Sequence, residues 1–364
     1  MATERLVLLA AGGTGGHLFP AEALAVVLRQ RGITVDLATD PRAAHFKFPA
    51  RNVYLIPSAT IRGHNPLSLA QTAAQLIRGT AKAWILIGCI RPSVVVGFGG
   101  YPTVPPLLAA SLRGVPTVLH EQNGVMGRAN RLLASRVTRI AIGFRTLARQ
   151  HPQLQAKITF TGNPLRPPVV AAAATPYRVP RPATQFDLLV FGGSQGAHVM
   201  AEIVPAAVKH LPEELCSRLR IVQQARPEDL DRVQATYQEL GVEAECAPFF
   251  ADLPARLAQA QLIVSRSGAS TVAELAAIGR PAILVPLPHA LDQDQLANAK
   301  VLAEAGGAIC IEQRGFTAER LASELVTLAS DPKRLEQMAE AAKSVGTLDA
   351  AERLADLVTM VAGI

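Results

Sequence analysis

The stretch LVLLAAGGTGGH, residues 6–17, decides how the chain is read. Six apolar residues of strand character run into four glycines within five positions, and a histidine follows at once. A strand that ends in glycines and passes into a helix offers backbone N–H groups and the positive helix end to an anion. The same design returns as FDLLVFGGSQGAH, residues 186–198. One such loop is a turn. Two, one at the start of each half, imply two similar domains turned toward a shared ligand.

Around these loops, apolar runs alternate with helical patterns. The expected strands of the first half are LVLLAA, TVDLAT, NVYLIP, SVVVGF, PTVLHE, RIAIGF and KITFTG; those of the second are FDLLVF, RIVQQA, EAECAP, LIVSRS, PAILVP and AICIE. Alternation of this kind predicts an α/β fold with parallel sheets covered by helices on both faces. We place a first domain at residues 1–163, completed by a C-terminal helix at 344–364, and a second at 164–343. The Pro- and Ala-rich stretch 167–185 is read as the link. The unusual residues follow strands: GGTGGH, FGGYP, HEQNG, TGNPLR, GGSQGA, SRSGAST and PLPHALDQDQ. In doubly wound sheets this carboxyl edge is where ligands bind.

Composition narrows the function. The 364 residues suit two domains, and 49% hydrophobic with 4% aromatic content implies a large aliphatic core. Four scattered cysteines fit neither a disulfide framework nor a zinc site and suggest a reducing compartment. Residues 1–163 hold 18 basic and 5 acidic side chains, and the remainder 18 and 24, so the first half is strongly cationic. No acid occurs between Pro41 and His120, against eight basic residues. A solvated basic face is one reading; attraction to anionic lipid headgroups or a diphosphate is the other. No nucleic-acid motif is present, so no nucleic-acid partner is expected. The longest uncharged run, between Arg91 and Arg113, carries four prolines and three glycines and does not suit a bilayer.

Neither glycine loop is a Walker A motif, and neither fits G-x-G-x-x-G, since position 18 is leucine. Asp40, ending the second strand, leaves a nicotinamide or flavin enzyme as a rival. His17 suits a general base, because its ordinary pKa lies near neutrality. It suits phosphate binding or a loop contact equally. Thr271 and Glu274 have capping-box spacing, a structural explanation that stands beside a binding one. Asp292-Gln293-Asp294 formally reads D-x-D, but helix-start acids explain it as well, and no metal is expected.

Taken in order, GGTGGH, GGYPT, HEQNGVMGRAN, TGNPLR, GGSQGA, SRSGASTVAE and DQDQLANA resemble the MurG family of bacterial glycosyltransferases, from Leu6 to about Gly307. The resemblance implies the GT-B architecture: two doubly wound Rossmann-like domains facing each other across a deep cleft. It implies inverting transfer of N-acetylglucosamine from UDP-GlcNAc to the 4-hydroxyl of undecaprenyl-diphospho-N-acetylmuramyl-pentapeptide, lipid I, giving lipid II, with no cofactor and no metal. His17 becomes the candidate base, with His120 and Glu121 as competitors. Donor binding falls to Thr14, Gly15, Gly16, Asn123, Arg166, Ser194, Gln195, Gly196, Phe250, Ser270, Thr271, Glu274, Asp294 and Gln295, with Asn298 in the same stretch as the last two. Acceptor binding falls to Gly13, Thr14, Gly15, Gly16, His17, Tyr101 and Asn130. Where many relatives carry asparagine after GGSQGA, this chain has Ala201.

The resemblance also implies peripheral attachment to an anionic membrane surface, at the cytoplasmic face of the bacterial inner membrane, and association with other wall-synthesis and division proteins. Residues 67–88, with Leu76, Ile77 and Trp84 beside Arg78 and Lys82, suit a headgroup interface. A buried helix with a solvated edge is the alternative. Two further rivals stand: a UDP-sugar epimerase, and a non-catalytic nucleotide-sugar-binding subunit.

Overall fold

The computed structural model describes residues 5–12, 15–41, 47–59, 66–181, 184–193, 196–288 and 291–364. The chain forms two compact units, Met1–Arg166 with Leu348–Ile364, and Pro167–Thr347. The first holds seven strands: β1 (Leu6–Ala10), β2 (Thr34–Thr39), β3 (Val53–Leu55), β4 (Val94–Gly97), β5 (Thr117–Glu121), β6 (Arg139–Ile142) and β7 (Ile158–Phe160). Their order is β3-β2-β1-β4-β5-β6-β7, and every pairing is parallel. The second unit repeats the plan with β8 (Phe186–Phe191), β9 (Leu219–Gln224), β10 (Glu243–Ala247), β11 (Leu262–Ser265), β12 (Ala282–Leu284) and β13 (Ala308–Cys310), ordered β10-β9-β8-β11-β12-β13. Each expected strand is formed.

The first strand of each sheet is apolar, apart from Asp187 near the start of β8, because both its faces are covered. Successive side chains of β1 point to opposite faces. Val7 and Leu9 pack with Leu24 and Leu28 of the helix Gly15–Gln30. Leu8 and Ala10 pack on the other face with Ile87 of the helix Pro66–Ile90 and Leu107 of the helix Val104–Leu112. In both sheets the strand order reverses beside the first strand, between β1 and β4 and between β8 and β11. Helices on the two sides of that point leave the sheet in opposite directions, so a crevice opens at the carboxyl ends. Both glycine loops lie there.

Leu348–Ile364 lies with the first unit, and its helix is shorter than the expected 344–364. Pro332–Ser344 ends in the second unit, and a separate helix, Ala350–Ala362, returns to the first. Its Leu354, Leu357 and Val358 are buried against Leu24 and Leu28. The stretch 167–185 is not a bare link. It begins with the helix Pro167–Ala172, and its next turn is held by a buried guanidinium. Arg280 donates to the carbonyls of Thr175 and Pro176 and also to those of Ala258, Ile278 and Gly279. Burial lowers its pKa to about 10. Carbonyl oxygens satisfy a planar donor fork without a second buried charge.

Leu354 anchors the returning helix, so Leu354→Ala is expected to cost the first unit about 2–5 kcal/mol. The sole tryptophan, Trp84, belongs to that unit and reports its unfolding in urea. An unchanged fluorescence midpoint would contradict this account of the C-terminal helix.

Candidate active site

The first glycine loop leads into the helix Gly15–Gln30, whose first turn contains no acid. No acid in that turn offsets its positive end, which suits an anion. Gly15 and Gly16 open this helix and His17 follows, half-buried. Gly13 and Thr14 lie outside the described residues. Gly99 and Gly100, after β4, have φ of 83° and 73°. Side chains there would stand 3.4 and 3.3 Å from the His17 ring. Glycine thus meets both a left-handed backbone and a close approach. Tyr101 follows at the start of the turn Tyr101–Thr103, half-buried against the core.

The loop after β5 is organised from within. Glu121 is buried, and its carboxylate accepts from Asn123 N at 3.0 Å, Asn123 Nδ2 at 3.1 Å, Gly127 N at 2.9 Å and Asn130 Nδ2 at 2.7 Å. Burial pushes its pKa up, while these four donors pull it back. His120 is also buried. One ring nitrogen faces Gly162 O at 3.0 Å and the other Gln122 Nε2 at 2.9 Å. Burial lowers its pKa to about 4. These contacts speak against His120 or Glu121 as the general base: each is buried, Glu121 bound around its own loop and His120 to Gly162 after β7 and to Gln122. His17 differs, with Nδ1 3.3 Å from Gln122 Oε1 and its ring beside two glycines. Asn130 Oδ1 is buried with no partner among the described residues. Such an orphan marks a position that a ligand can complete. Arg166 ends the unit with its guanidinium 4.0 Å above the Phe19 ring.

In the second unit Ser194 and Gln195 lie outside the described residues, but the frame around them is clear. Gly192 donates to Gln224 Oε1 at 3.0 Å, and a side chain on it would collide with the Ala197 amide. Gly196, at φ 66°, takes a donor from Arg226 at 3.4 Å through its carbonyl. The helix His198–Val208 follows with neither a side-chain cap nor an acid in its first turn. Ala201, on this helix, is fully buried in the core of the second unit.

The helix Ala269–Ile278 starts after Gly268, which is its N-cap. Thr271 is therefore inside the helix, and the capping-box explanation for Thr271 and Glu274 fails. Glu274 is buried on that helix, and Ser270 Oγ is buried without a partner among the described residues. The loops after β11 and β12 are laced together. Ser267 Oγ donates to Gln295 O at 2.8 Å, Asn298 Nδ2 to Ser267 O at 3.1 Å, and Leu287 N to Gln295 Oε1 at 3.1 Å. Asp292 and Gln293 both hold positive φ, 59° and 53°. Strain of this kind concentrates at functional sites. The turn ends where Asp294 opens the helix Asp294–Ala305, its Oδ1 accepting from Gln295 N at 2.7 Å. Phe250 is buried under Arg256, whose guanidinium lies 4.4 Å above its ring, whereas Phe249 is 69% exposed. The sequence reading passed over Gln122, Gln224 and Arg226. All are polar residues at or just past strand ends, the one signal they carry.

Two doubly wound sheets, each with a glycine loop leading to a helix at its switch point, fit a nucleotide-sugar enzyme of the two-domain class. Residues 7–142 match the glycosyltransferase family 28 N-terminal domain and residues 187–354 the glycosyltransferase family 28 C-terminal domain. The chain belongs to glycosyltransferase family 28. Two relatives from Rhodopseudomonas palustris, strains BisA53 and ATCC BAA-98 / CGA009, are 58% and 59% identical, over 100% of this chain and 98% and 100% of their own. Both are named UDP-N-acetylglucosamine--N-acetylmuramyl-(pentapeptide) pyrophosphoryl-undecaprenol N-acetylglucosamine transferase. Among solved structures, Acinetobacter baumannii MurG superposes with a TM-score of 0.79 at 30% identity, covering 98% of this chain and 99% of its own. A UDP-GlcNAc 2-epimerase from Neisseria meningitidis shares the fold, with a TM-score of 0.67 at 13% identity, covering 98% of this chain and 100% of its own.

Buried His120 makes a pH prediction. Folded, it stays neutral down to about pH 4; its ordinary value is 6.5. The unfolded chain binds this proton first, so stability falls as pH is lowered from 6.5 toward 4, by up to about 3 kcal/mol. Thermal melting of His120→Gln should show a shallower fall across that window than the parent protein. Equal slopes would contradict the buried neutral state.

Proposed function

We propose that this chain transfers N-acetylglucosamine from UDP-GlcNAc to the 4-hydroxyl of lipid-linked N-acetylmuramyl-pentapeptide, converting lipid I to lipid II. The observation that carries the proposal is identity of 58% along the whole chain to relatives named for that transfer. The acceptor oxygen attacks the anomeric carbon as the bond from that carbon to the β-phosphate oxygen breaks. UDP departs with the electron pair, and His17 takes the hydroxyl proton. A single displacement inverts the anomeric centre and needs no glycosyl-enzyme.

The second unit holds the donor. Its glycine loop and the helix from His198 stabilise the departing diphosphate, with Ser194 and Gln195 in that loop. Glu274, Ser270 and Thr271 on one helix, and Asp294 and Gln295 on another, supply hydroxyl-reading groups, an amide being both donor and acceptor. The first unit takes the acceptor, with Gly15, Gly16, His17, Tyr101 and Asn130 around its first glycine loop. The reaction runs without a metal: Asp294 sits in the first turn of its own helix, where an acid is favourable, and accepts from Gln295 N.

The acceptor's lipid needs a surface, and the helix Pro66–Ile90 supplies one. Ile77 is 70% exposed, Ile85 65% and Trp84 38%, and Leu112 of the neighbouring helix is 62% exposed. Arg113 lies 4.3 Å over the Trp84 ring, and Arg78 and Lys82 flank the apolar face. No described helix is long and apolar enough to cross a membrane. Aliphatic and indole groups ringed by cations suit shallow burial among anionic headgroups at the cytoplasmic face of the inner membrane.

Labelled N-acetylglucosamine should pass from its UDP form to a lipid-diphospho-muramyl-pentapeptide analogue in the presence of chelator, and His17→Ala should lower kcat by about 10²–10⁴. Loss of transfer in chelator would remove the metal-free mechanism. Release of an epimerised sugar without acceptor would replace the proposal with the epimerase. In vesicle sedimentation, Trp84→Ala with Ile77→Ser should weaken binding to anionic vesicles, and neutral vesicles should bind the parent protein less. Equal binding to both would sink the electrostatic part.

A further inference from the structure

Four polar groups form a chain across the carboxyl edge of the first sheet: His17, Gln122, His120 and Gly162 O. Its direction can be worked out atom by atom from the far end. Gly162 O is a carbonyl and only accepts, so His120 Nε2, 3.0 Å away, carries the proton. His120 is fully buried and neutral above about pH 4, so its Nδ1 has a lone pair and accepts. Gln122 Nε2, at 2.9 Å, donates to it. The same nitrogen donates to His120 O at 3.2 Å. That carbonyl settles the amide orientation independently, since an amide oxygen there would face an acceptor. Gln122 Oε1 is thereby turned to His17 Nδ1, 3.3 Å away. An amide oxygen only accepts, so Nδ1 of neutral His17 bears the hydrogen and Nε2 the lone pair.

We propose that Gln122, seated by the buried His120, is a positioning residue that holds neutral His17 in its Nδ1–H tautomer, so that Nε2 receives the acceptor's proton. This rests on the reading of His17 as base. Nε2 is also the nitrogen nearer Gly100, where a side chain would stand 3.3 Å from it. Glycine at 100 keeps a side chain away from that nitrogen. Gln122 is itself buried, and Asn163 Nδ2 donates to its backbone carbonyl at 2.9 Å, so the residue is held at its main chain as well as through its amide. An amide differs here from a carboxylate: it fixes the tautomer without placing a negative charge beside the base.

The test uses the full-length protein carrying ¹⁵N-labelled histidine, with His17 assigned from the signal lost in His17→Gln. Long-range ¹H–¹⁵N spectra at about pH 8, where an ordinary imidazole is neutral, should show His17 protonated on Nδ1. In Gln122→Met the two tautomers should mix, and kcat should fall about tenfold or more with the KM for UDP-GlcNAc within about twofold of the parent. Gln122→Glu, which still accepts from Nδ1, should recover part of kcat. A parent His17 protonated on Nε2, or one unaltered in Gln122→Met, overturns the proposal while leaving His17 as base. An equal change in KM and kcat, or a melting temperature that falls with no change of tautomer, reduces Gln122 to a structural residue and also overturns it. If the tautomer is as expected but His17→Ala transfers at the parent rate, the reading of His17 as base fails, and the catalytic half of this proposal with it.

Discussion

A parallel sheet whose strand order turns back beside its first strand leaves a crevice at that strand's carboxyl end. The covering helices there depart to opposite sides, and nothing in the sheet fills the gap. Everything chemical in this protein follows from having that crevice twice, after β1 and after β8. Strands buried on both faces are mostly apolar, and their polar residues gather near the carboxyl ends, as His120 and Glu121 do at the end of β5. Helices that start in the crevice offer N–H groups at a positive end, and neither the helix at Gly15 nor that at His198 has an acid in its first turn to offset it. Glycine is the residue that lets a phosphate reach those groups.

Around each crevice the polar residues divide into those that build and those that can react. Glu121 shows the first kind: four hydrogen bonds from its own loop use both carboxylate oxygens. Asn298 and Ser267 do the same between two loops of the second unit. Such groups are costly to leave unpaired in a dry interior, and each is paired locally. His17 shows the second kind, partly exposed and beside glycines. A reactive group is useful only if its lone pair points the right way, and buried partners set that direction.

The fold was legible because the period of the apolar runs and their lengths reflect burial directly. Thirteen strands could be found as short runs rich in Val, Ile and Leu between turn residues. Less legible were features set by tertiary contact. The helix Pro167–Ala172 hides in a Pro- and Ala-rich stretch that has no periodic pattern to betray it. Arg280, which fastens the following turn, looks in sequence like any surface arginine. The spacing of Thr271 and Glu274 is that of a capping box, yet the helix starts three residues earlier, after Gly268. At the candidate site, loops after strands drew attention to the right segments. Which member of HEQNG would react could not be seen, because burial separates His120 and Glu121 from His17 and sequence does not record burial. Gln122, between them, carried no motif of its own.

The central claim is a division of labour: the second glycine loop receives the donor diphosphate and the first awaits the acceptor. Hydrogen exchange read by mass spectrometry on the whole chain, with and without UDP-GlcNAc, tests it most directly. The account predicts slower exchange in peptides spanning 190–200 and 268–275, and a smaller change in those spanning 10–20, whose Thr14, Gly15 and Gly16 are shared between donor and acceptor. Slowing confined to the first loop, with none in the second, would contradict it.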